Sequence, residues 1–458
     1  MSKIFICSVE NCQFETECSS KISLHKKNEN HRKTHILKYR CNNCFQDFDK
    51  YIEYKKHYKK EHYPKGQFFT SNEILKQKVN EFILNNPNII LEPSIGKGHL
   101  VDYVLQNKED IYFHMFEIDN NIKLLDSLKN KINAETDIEY VDFLQKEIDF
   151  TYDTIIGNPP FVKEKGSHNN LYLQFINKCV DLLNNKGELI FIVPSDFLKL
   201  TSSCNTINKM LKEGCFTHIY HPHNEKLFSN ANIDVIVFRY CKDNTLPKKV
   251  KYNNQDKFIH NSNGILTFTN KKISCITTFK DNFDIYVGIV SGKEEVFKNS
   301  EFGNIEVLNN KDKRDKYILI EEYPSSNKEI NKHLLKHKEI LIERTIRTFN
   351  ENNWFEWGAL RNYETINKFK GKKTKCLYIK NLMRIDKDQK SGEICFEGIV
   401  DLFGGGLIIL IPKPDKKLNL KKIKAYLNSY EFQENYIYSK RFKIGHKQIS
   451  NALFNIPS

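Results

Sequence analysis

The apolar positions of this chain change period repeatedly, and the changes mark its elements. The run Asn88-Ile89-Ile90-Leu91 is short and continuously apolar, stops at Glu92-Pro93-Ser94-Ile95-Gly96-Lys97-Gly98, and gives way to helical spacing from His99-Leu100 onward. It reads as strand, ligand loop and helix. Residues 111–116 form a second strand pattern ending at Glu117-Ile118-Asp119, and 138–141 a third ending at Asp142-Phe143. A fourth, Asp153-Thr154-Ile155-Ile156-Gly157, ends abruptly in Asn158-Pro159-Pro160-Phe161. Helical spacing over 171–183, a buried strand over 188–193 closed by Pro194, and strands over 217–220 and 233–240 continue the alternation. Alternating strands and helices predict an α/β fold with a mainly parallel sheet. The stretch 243–263, with Pro247 and repeated Lys and Asn, reads as a boundary.

The junction at Asn158 carries the most specific chemistry. Tandem prolines cannot continue a sheet or a helix, so the carbonyls around them stay free to accept hydrogen bonds. The Asn158 side chain adds an oxygen acceptor, and two converging acceptors bind both protons of one planar NH2 group. Phe161 offers a face on which an extruded base stacks, worth roughly 1–3 kcal/mol. Taken alone, Asn-Pro-Pro is as readily a turn. Gly96 and Gly98 allow close backbone approach to a ligand, and Glu92 suits a cation rather than a phosphate; no Gly-Lys-Ser/Thr follows, which excludes a phosphate-binding loop of that type. An acidic residue at the end of the second strand is placed for ribose hydroxyls.

These motifs in this order resemble the γ-type adenine DNA methyltransferases, the TaqI-like and Eco57I-like enzymes, over about residues 64–245. Gly66-Gln67-Phe68-Phe69-Thr70 resembles the N-terminal cofactor motif, with Ser71 where proline is usual and with Thr70 and Glu73 forming a candidate capping box. Lys97 stands where relatives often carry a small residue. The resemblance implies a class I methyltransferase domain, with a Rossmann-like seven-stranded sheet ending in an antiparallel hairpin, and S-adenosylmethionine as cofactor. It implies that Glu117 binds the ribose hydroxyls with Ile118 beside it, that Asp142 holds the adenine amino group and that Phe143 packs on the adenine ring. Phe69, Thr70, Glu92, Pro93, Gly96, Gly98 and Asn158 surround the rest of the cofactor. Asn158, Pro159, Pro160 and Phe161 then receive a flipped-out adenine for N6 methylation, with Phe228 as a second aromatic or a core residue. Tyr286 to Lys293 resembles the opening of a C-terminal α+β target-recognition domain, and Lys443 to His446 with Phe454 to Pro457 its close. Trp354, Trp357, Arg344, Arg347 and Gly404-Gly405-Gly406 are candidates there for DNA contact or for core and turn positions.

The N-terminal segment carries a separate signal. Cys41-x2-Cys44, twelve residues, then His57 and His62 has two-Cys two-His zinc-finger spacing, with Phe48 and Tyr54 at its core positions. Cys7-x4-Cys12, twelve residues, then His25 and His31 gives a looser second finger with Ile22 in its core. Two structural Zn2+ ions follow as cofactors. Before Gly66 the chain has twelve Lys and two Arg against two Asp and six Glu, so 14 − 8 = +6 of a formal +14 lies there. That favours phosphate contact over base reading, with RNA or protein binding as alternatives.

The organisation expected is therefore two C2H2-type fingers in 1–64, a methyltransferase domain in 65–245, a connecting region in 246–284 and a recognition domain in 285–458. The expected partner is double-stranded DNA, without a membrane, with a monomer favoured and an unlinked restriction endonuclease allowed. A nuclease within the chain is not expected, because the fingers occupy the residues before the methylase motif. Such a protein is expected to be soluble and intracellular, in cytoplasm, nucleus or a viral compartment. Methylation of RNA adenine or of a protein glutamine uses the same pocket chemistry, and a catalytically silent DNA-binding protein retains the same fold.

Overall fold

The computed structural model describes residues 2–7, 12, 14–16, 22, 25, 35–40, 46–57, 68–108, 110–119, 122–133, 137–162, 170–228, 232–273, 277–385 and 390–455. They fall into two compact units, Met1–Gln67 and Phe68–Ser458.

In the first unit, β1 (Ser2–Cys7), β2 (Glu15–Thr16), β3 (His35–Arg40) and β4 (Asp47–Phe48) form one sheet in the order β2-β1-β3-β4, followed by α1 (Tyr51–His57). The two hairpins expected as separate fingers are joined, because β1 pairs antiparallel with β3 along its whole length, from Ser2↔Arg40 to Cys7↔His35. Arg40 ties the outer strands together. Its guanidinium donates to Asp47 at 2.7 and 2.9 Å and to Glu15 at 2.9 and 3.3 Å. Ile22 and Tyr54 are buried, as core positions require.

The second unit begins with α2 (Glu73–Phe82). Its core is a sheet built from β5 (Ile89–Glu92), β6 (Tyr112–Phe116), β7 (Ile138–Glu139), β8 (Tyr152–Gly157), β9 (Leu183–Pro194), β10 (Cys215–Tyr220) and β11 (Val235–Cys241). These seven lie in the order β7-β6-β5-β8-β9-β11-β10. β11 runs antiparallel to both its neighbours, while the pairs from β7 to β9 are parallel. The helices α3 (His99–Asn107), α4 (Asp126–Lys129), α5 (Leu171–Asp181) and α6 (Cys204–Glu213) supply the crossovers.

Period-two alternation divides the strands between two cores. Leu189, Phe191 and Val193 pack with Tyr172, Ile176 and Val180 of α5 and with Ile207 of α6. Ile190 and Ile192 pack with Leu75 and Val79 of α2 and with Leu100, Val101 and Val104 of α3. Because both faces are covered, the strands read as continuous apolar runs. A buried ion pair sits inside this sheet. Glu188, fully buried, accepts from Arg239 Nε at 2.7 Å, Thr154 Oγ1 at 3.0 Å, and the main-chain N–H groups of Leu84 and Asn85. It thereby fixes the exit of α2 against the sheet.

The stretch read as a connecting region instead enlarges the sheet to ten strands. β12 (Lys249–Tyr252) pairs parallel with β10, and β13 (Gln255–Ser262) and β14 (Ile265–Thr269) follow as antiparallel neighbours. In β12 only Val250 is buried, so its composition looks like that of a linker.

The C-terminal part holds a sheet of β15 (Phe283–Val287), β18 (Lys375–Lys380), β20 (Cys395–Ile399) and β21 (Leu407–Pro412), in the order β15-β21-β18-β20. A hairpin of β16 (Ile305–Asn310) and β17 (Lys313–Tyr317) lies apart from it. A small sheet of β19 (Leu382–Arg384), β22 (Ile437–Tyr438) and β23 (Arg441–Lys443) completes the set. Trp354 and Trp357 are core residues, 2% and 4% exposed. Arg344 is buried as well and donates to the carbonyls of Leu341, Ser291, Trp354 and Glu356, so it holds chain segments together. Arg347 donates to the Glu356 carboxylate and to the Trp357 carbonyl. Gly404 lies against Gly288: a Cβ on Gly288 would stand 2.2 Å from the Gly404 carbonyl oxygen.

Candidate active site at the carboxyl ends of the strands

Four strand ends and the chain before α2 converge on one region. β5 ends in Glu92, whose side chain is 2% exposed and accepts from Ser94 N at 3.1 Å and Ser94 Oγ at 3.4 Å. Among the described residues it has no cationic partner, and burial pushes its carboxyl up to about 8. Pro93 is buried beside it. Gly96 and Gly98 then adopt φ of +54° and +81°, which favours glycine, and Gly98 opens α3. A Cβ on Gly96 would touch the Phe69 ring at 3.2 Å, so the turn closes on that aromatic. Lys97 lies over the same ring, its Nζ 4.9 Å from the Phe69 centroid.

Beyond β6, Glu117 is fixed by three backbone donors: Gly96 N at 2.8 Å on Oε2, and Ile118 N at 2.9 Å and Asp119 N at 3.2 Å on Oε1. The glycine turn and the second strand end are thus one structure. Ile118 stands 67% exposed beside it, an apolar face open to a ligand. Asp142, after β7, is partly exposed and accepts from Leu144 N at 2.9 Å. Phe143 departs from expectation. It is 2% exposed, stacked on Phe175 with centroids 5.5 Å apart and edge-on to Phe116 at 5.3 Å, so the core uses its ring.

β8 delivers Asn158. Its Nδ2 donates to the Phe68 carbonyl at 2.6 Å and to Thr70 Oγ1 at 2.9 Å, while Oδ1 is buried without a partner. A carbonyl can only accept, so the Phe68 contact fixes which end of the amide faces it. A buried acceptor left unmade costs about 1–3 kcal/mol, and such an atom calls for an explanation. The Thr70 hydroxyl is available for this role because α2 is capped by Asn72, whose side chain accepts from Leu75 N, rather than by Thr70. Pro159 is buried and Pro160 half-buried. Phe161 packs against Phe68 at 5.6 Å and edge-on to Phe228 and Tyr172, both at 6.3 Å; Phe228, 5% exposed, also meets Phe68 at 5.7 Å. Phe228 is therefore at once a core residue and part of this aromatic wall.

The motifs did not reveal Phe68 or Gly157 as site residues. Phe68 contributes a carbonyl, which sequence does not display, and a ring whose only signal was its place beside Phe69-Thr70. A Cβ on Gly157 would stand 3.1 Å from Glu92 Oε1 and 3.0 Å from Phe191, so any larger residue there would press on both side chains.

In the first unit, Cys7, Cys12 and His25 bring their ligand atoms within 4.8 Å of one another, with Cys12 Sγ 3.3 Å from His25 Nε2. Phe14 stacks on His25 at 4.1 Å. His57 lies on α1 against Phe48, with centroids 4.6 Å apart. His31, Cys41, Cys44 and His62 lie outside the described residues.

The strand order, with its reversed seventh strand, is that of a class I S-adenosylmethionine-dependent methyltransferase fold. Residues 19–228 match the family described as Eco57I restriction-modification methylase. The Type II methyltransferase M.HincII of Haemophilus influenzae is 29% identical over 199 residues, covering 39% of this chain and 37% of that protein. The Type II methyltransferase M.CvrRI of Paramecium bursaria Chlorella virus XZ-6E is 27% identical over 204 residues, covering 42% and 52%. This chain thus spans well under two thirds of the length of these curated relatives. A solved structure of the Type IIL restriction-modification enzyme MmeI in complex with DNA aligns with 88% of this chain and 65% of its own, at 12% identity and a TM-score of 0.48.

Proposed function

We propose that this protein transfers a methyl group from S-adenosylmethionine to the N6 amino group of an adenine flipped out of double-stranded DNA. The observation that carries the reading is the buried, unpartnered Asn158 Oδ1 beside the Phe161 ring. The surrounding groups fit the cofactor: a buried carboxylate without a cation at Glu92, a carboxylate fixed by main chain at Glu117, an exposed apolar face at Ile118, and a glycine turn closed on Phe69. Glu117 holds the ribose hydroxyls, Asp142 the adenine amino group, and Glu92 with Pro93, Thr70, Gly96 and Gly98 the methionine part; Ile118 takes the ring-packing role expected of Phe143.

S-adenosylmethionine, when bound, supplies an electrophilic methyl group on a sulfonium. An aromatic amine is a weak nucleophile because its lone pair is delocalised into the ring. Asn158 Oδ1 and the Pro159 carbonyl accept its two protons, draw the nitrogen toward tetrahedral geometry and hold it in line, so the residues act by position and electrostatics. Phe161, framed by Pro160, Phe68 and Phe228, stacks on the extruded base and offsets part of a flipping cost of a few kcal/mol.

The part beyond residue 284 engages the duplex, and the first unit holds zinc through Cys7, Cys12 and His25, with His31 as fourth ligand, and through Cys41, Cys44, His57 and His62. Resemblance to relatives named as Type II methyltransferases supports a short specific DNA sequence as target and allows a separate restriction endonuclease as companion. Incubation with methyl-labelled S-adenosylmethionine and mixed-sequence duplex DNA, followed by nucleoside analysis, is expected to place the label in N6-methyladenine. Label in RNA adenine or in protein glutamine, with none in DNA, would replace this reading.

A further inference from the structure

The segment between β10 and β11 carries Leu227 and Phe228 into the aromatic wall of the amine pocket, and its two ends are locked to each other. His221 Nε2 lies 2.6 Å from Asp234 Oδ2, and the Asn253 side chain brackets the main chain of His221 with bonds of 2.7 and 2.9 Å. Asp234 does more than close this segment. Its Oδ2 also accepts from Ser195 Oγ at 2.5 Å, at the end of β9, and Ser195 N donates to the Asp234 carbonyl at 2.9 Å. Its Oδ1 turns the other way and accepts from Ser439 Oγ at 2.6 Å, in the turn between β22 and β23. Burial alone would raise the Asp234 carboxyl; the bonds from His221, Ser195 and Ser439 outweigh it and hold the group below the usual carboxylate range.

The same turn makes a second tie, Arg441 to Glu225 at 3.2 Å, onto the segment that bears Phe228. Ser439 and Lys440 have φ of +43° and +67°, so the turn is held in a conformation that ordinary residues enter only when their surroundings fix it. Between the two parts lies an open cavity of about 840 Å³, whose walls include Ser195, Asp234, Ser439, Arg441, Lys443 and Lys447. Lys199, Arg441, Lys443 and Lys447 line it together with the carboxylates Asp196, Glu225 and Asp234, and with Arg441 paired to Glu225, Lys443 and Lys447 are the cations that suit a polyanionic strand.

We propose that Asp234 is a positioning residue that couples substrate engagement on the β22–β23 turn to the placement of Phe228 in the amine pocket. One carboxylate oxygen serves the catalytic sheet and the other serves the turn, so displacement of the turn by a bound strand is transmitted to the ends of the segment that carries Phe228. The inference rests on the methyl-transfer reading above.

Ser439→Ala tests it, because it removes a single bond to Asp234 and leaves those from His221 and Ser195. Amide hydrogen exchange of the full chain is expected to rise together in residues 437–443 and in 221–228. Turnover on duplex DNA is expected to fall about tenfold, the size of one hydrogen bond to a charged group, with KM and S-adenosylmethionine affinity within about twofold. Ser439→Asn, which keeps a donor and tolerates the left-handed backbone, should restore both. Faster exchange confined to 437–443 with turnover unchanged would overturn the coupling. A wild-type protein that transfers no methyl group to DNA would refute the reading of the site, and the exchange arm would still decide the coupling by itself.

Discussion

Asn158 shows how one side chain is oriented by groups far from it in sequence. The Phe68 carbonyl and the Thr70 hydroxyl take both protons of its amide, which leaves Oδ1 oriented and unsatisfied inside the protein. Glu92 is prepared in the opposite sense, since burial holds its carboxyl protonated up to about 8. A cationic ligand favours the ionised form, so binding of S-adenosylmethionine at pH 7 should release a proton, and affinity should rise with pH until it levels off above about 8. Calorimetry in two buffers of different ionisation heat measures that proton; equal heats would contradict it. The folded-state value lies above the unfolded value of about 4.3, so the unliganded protein loses stability as pH rises between the two. Glu92→Gln should consequently raise the melting temperature at pH 8 while weakening cofactor binding, an exchange of stability for function that thermal scans with and without cofactor would reveal.

At the scale of elements, the glycine turn and the buried ion pair make separate predictions. A Cβ on Gly98 would stand 2.1 Å from Leu128 Cδ2, at a φ of +81°. Gly98→Ala should therefore cost about 1–3 kcal/mol in denaturant unfolding; an unchanged midpoint would show that the turn relaxes freely. Removing Glu188 alone leaves Arg239 buried without its partner and should cost about 3–5 kcal/mol, whereas Glu188→Leu combined with Arg239→Met should cost much less. These elements also show what the sequence displays. The strand ends at Glu92, Glu117 and Asn158 were legible because each is a polar residue that closes an apolar run, whereas β7 stops at Glu139, short of the 138–141 expected, and leaves Asp142 in the loop beyond it. The joining of Gly96 N to Glu117 and of Phe68 O to Asn158 was not, because main-chain groups leave no mark on residue type. Of the strands added to the sheet, β12 was hidden because it buries only Val250 although it is paired on both sides, and β13 because its buried positions include the polar residues Lys257, His260 and Ser262. Phe143 followed the expected motif in sequence but is buried in the core, where it packs against Phe116 and Phe175.

At the scale of the whole molecule, no helix among the described residues is long and apolar enough to cross a membrane, and the formal charge of +14 is that of a chain suited to a polyanion. The separation into two compact units gives the metal proposal a clear signature. Elemental analysis should find zinc in the full chain, lost by chelation together with structure in residues 1–67, while the main unfolding transition of residues 68–458 stays in place. Absence of bound metal from freshly purified protein would contradict it. Whether the Asn158 acceptor drives methyl transfer is decided by single-turnover transfer to duplex DNA by wild type and Asn158→Ala, with cofactor affinity measured in parallel. The transfer rate is expected to fall about 10²–10³-fold, as for removal of a preorganised polar group at a reacting centre, with S-adenosylmethionine affinity nearly unchanged; equal transfer rates in the two proteins would refute the role of Asn158.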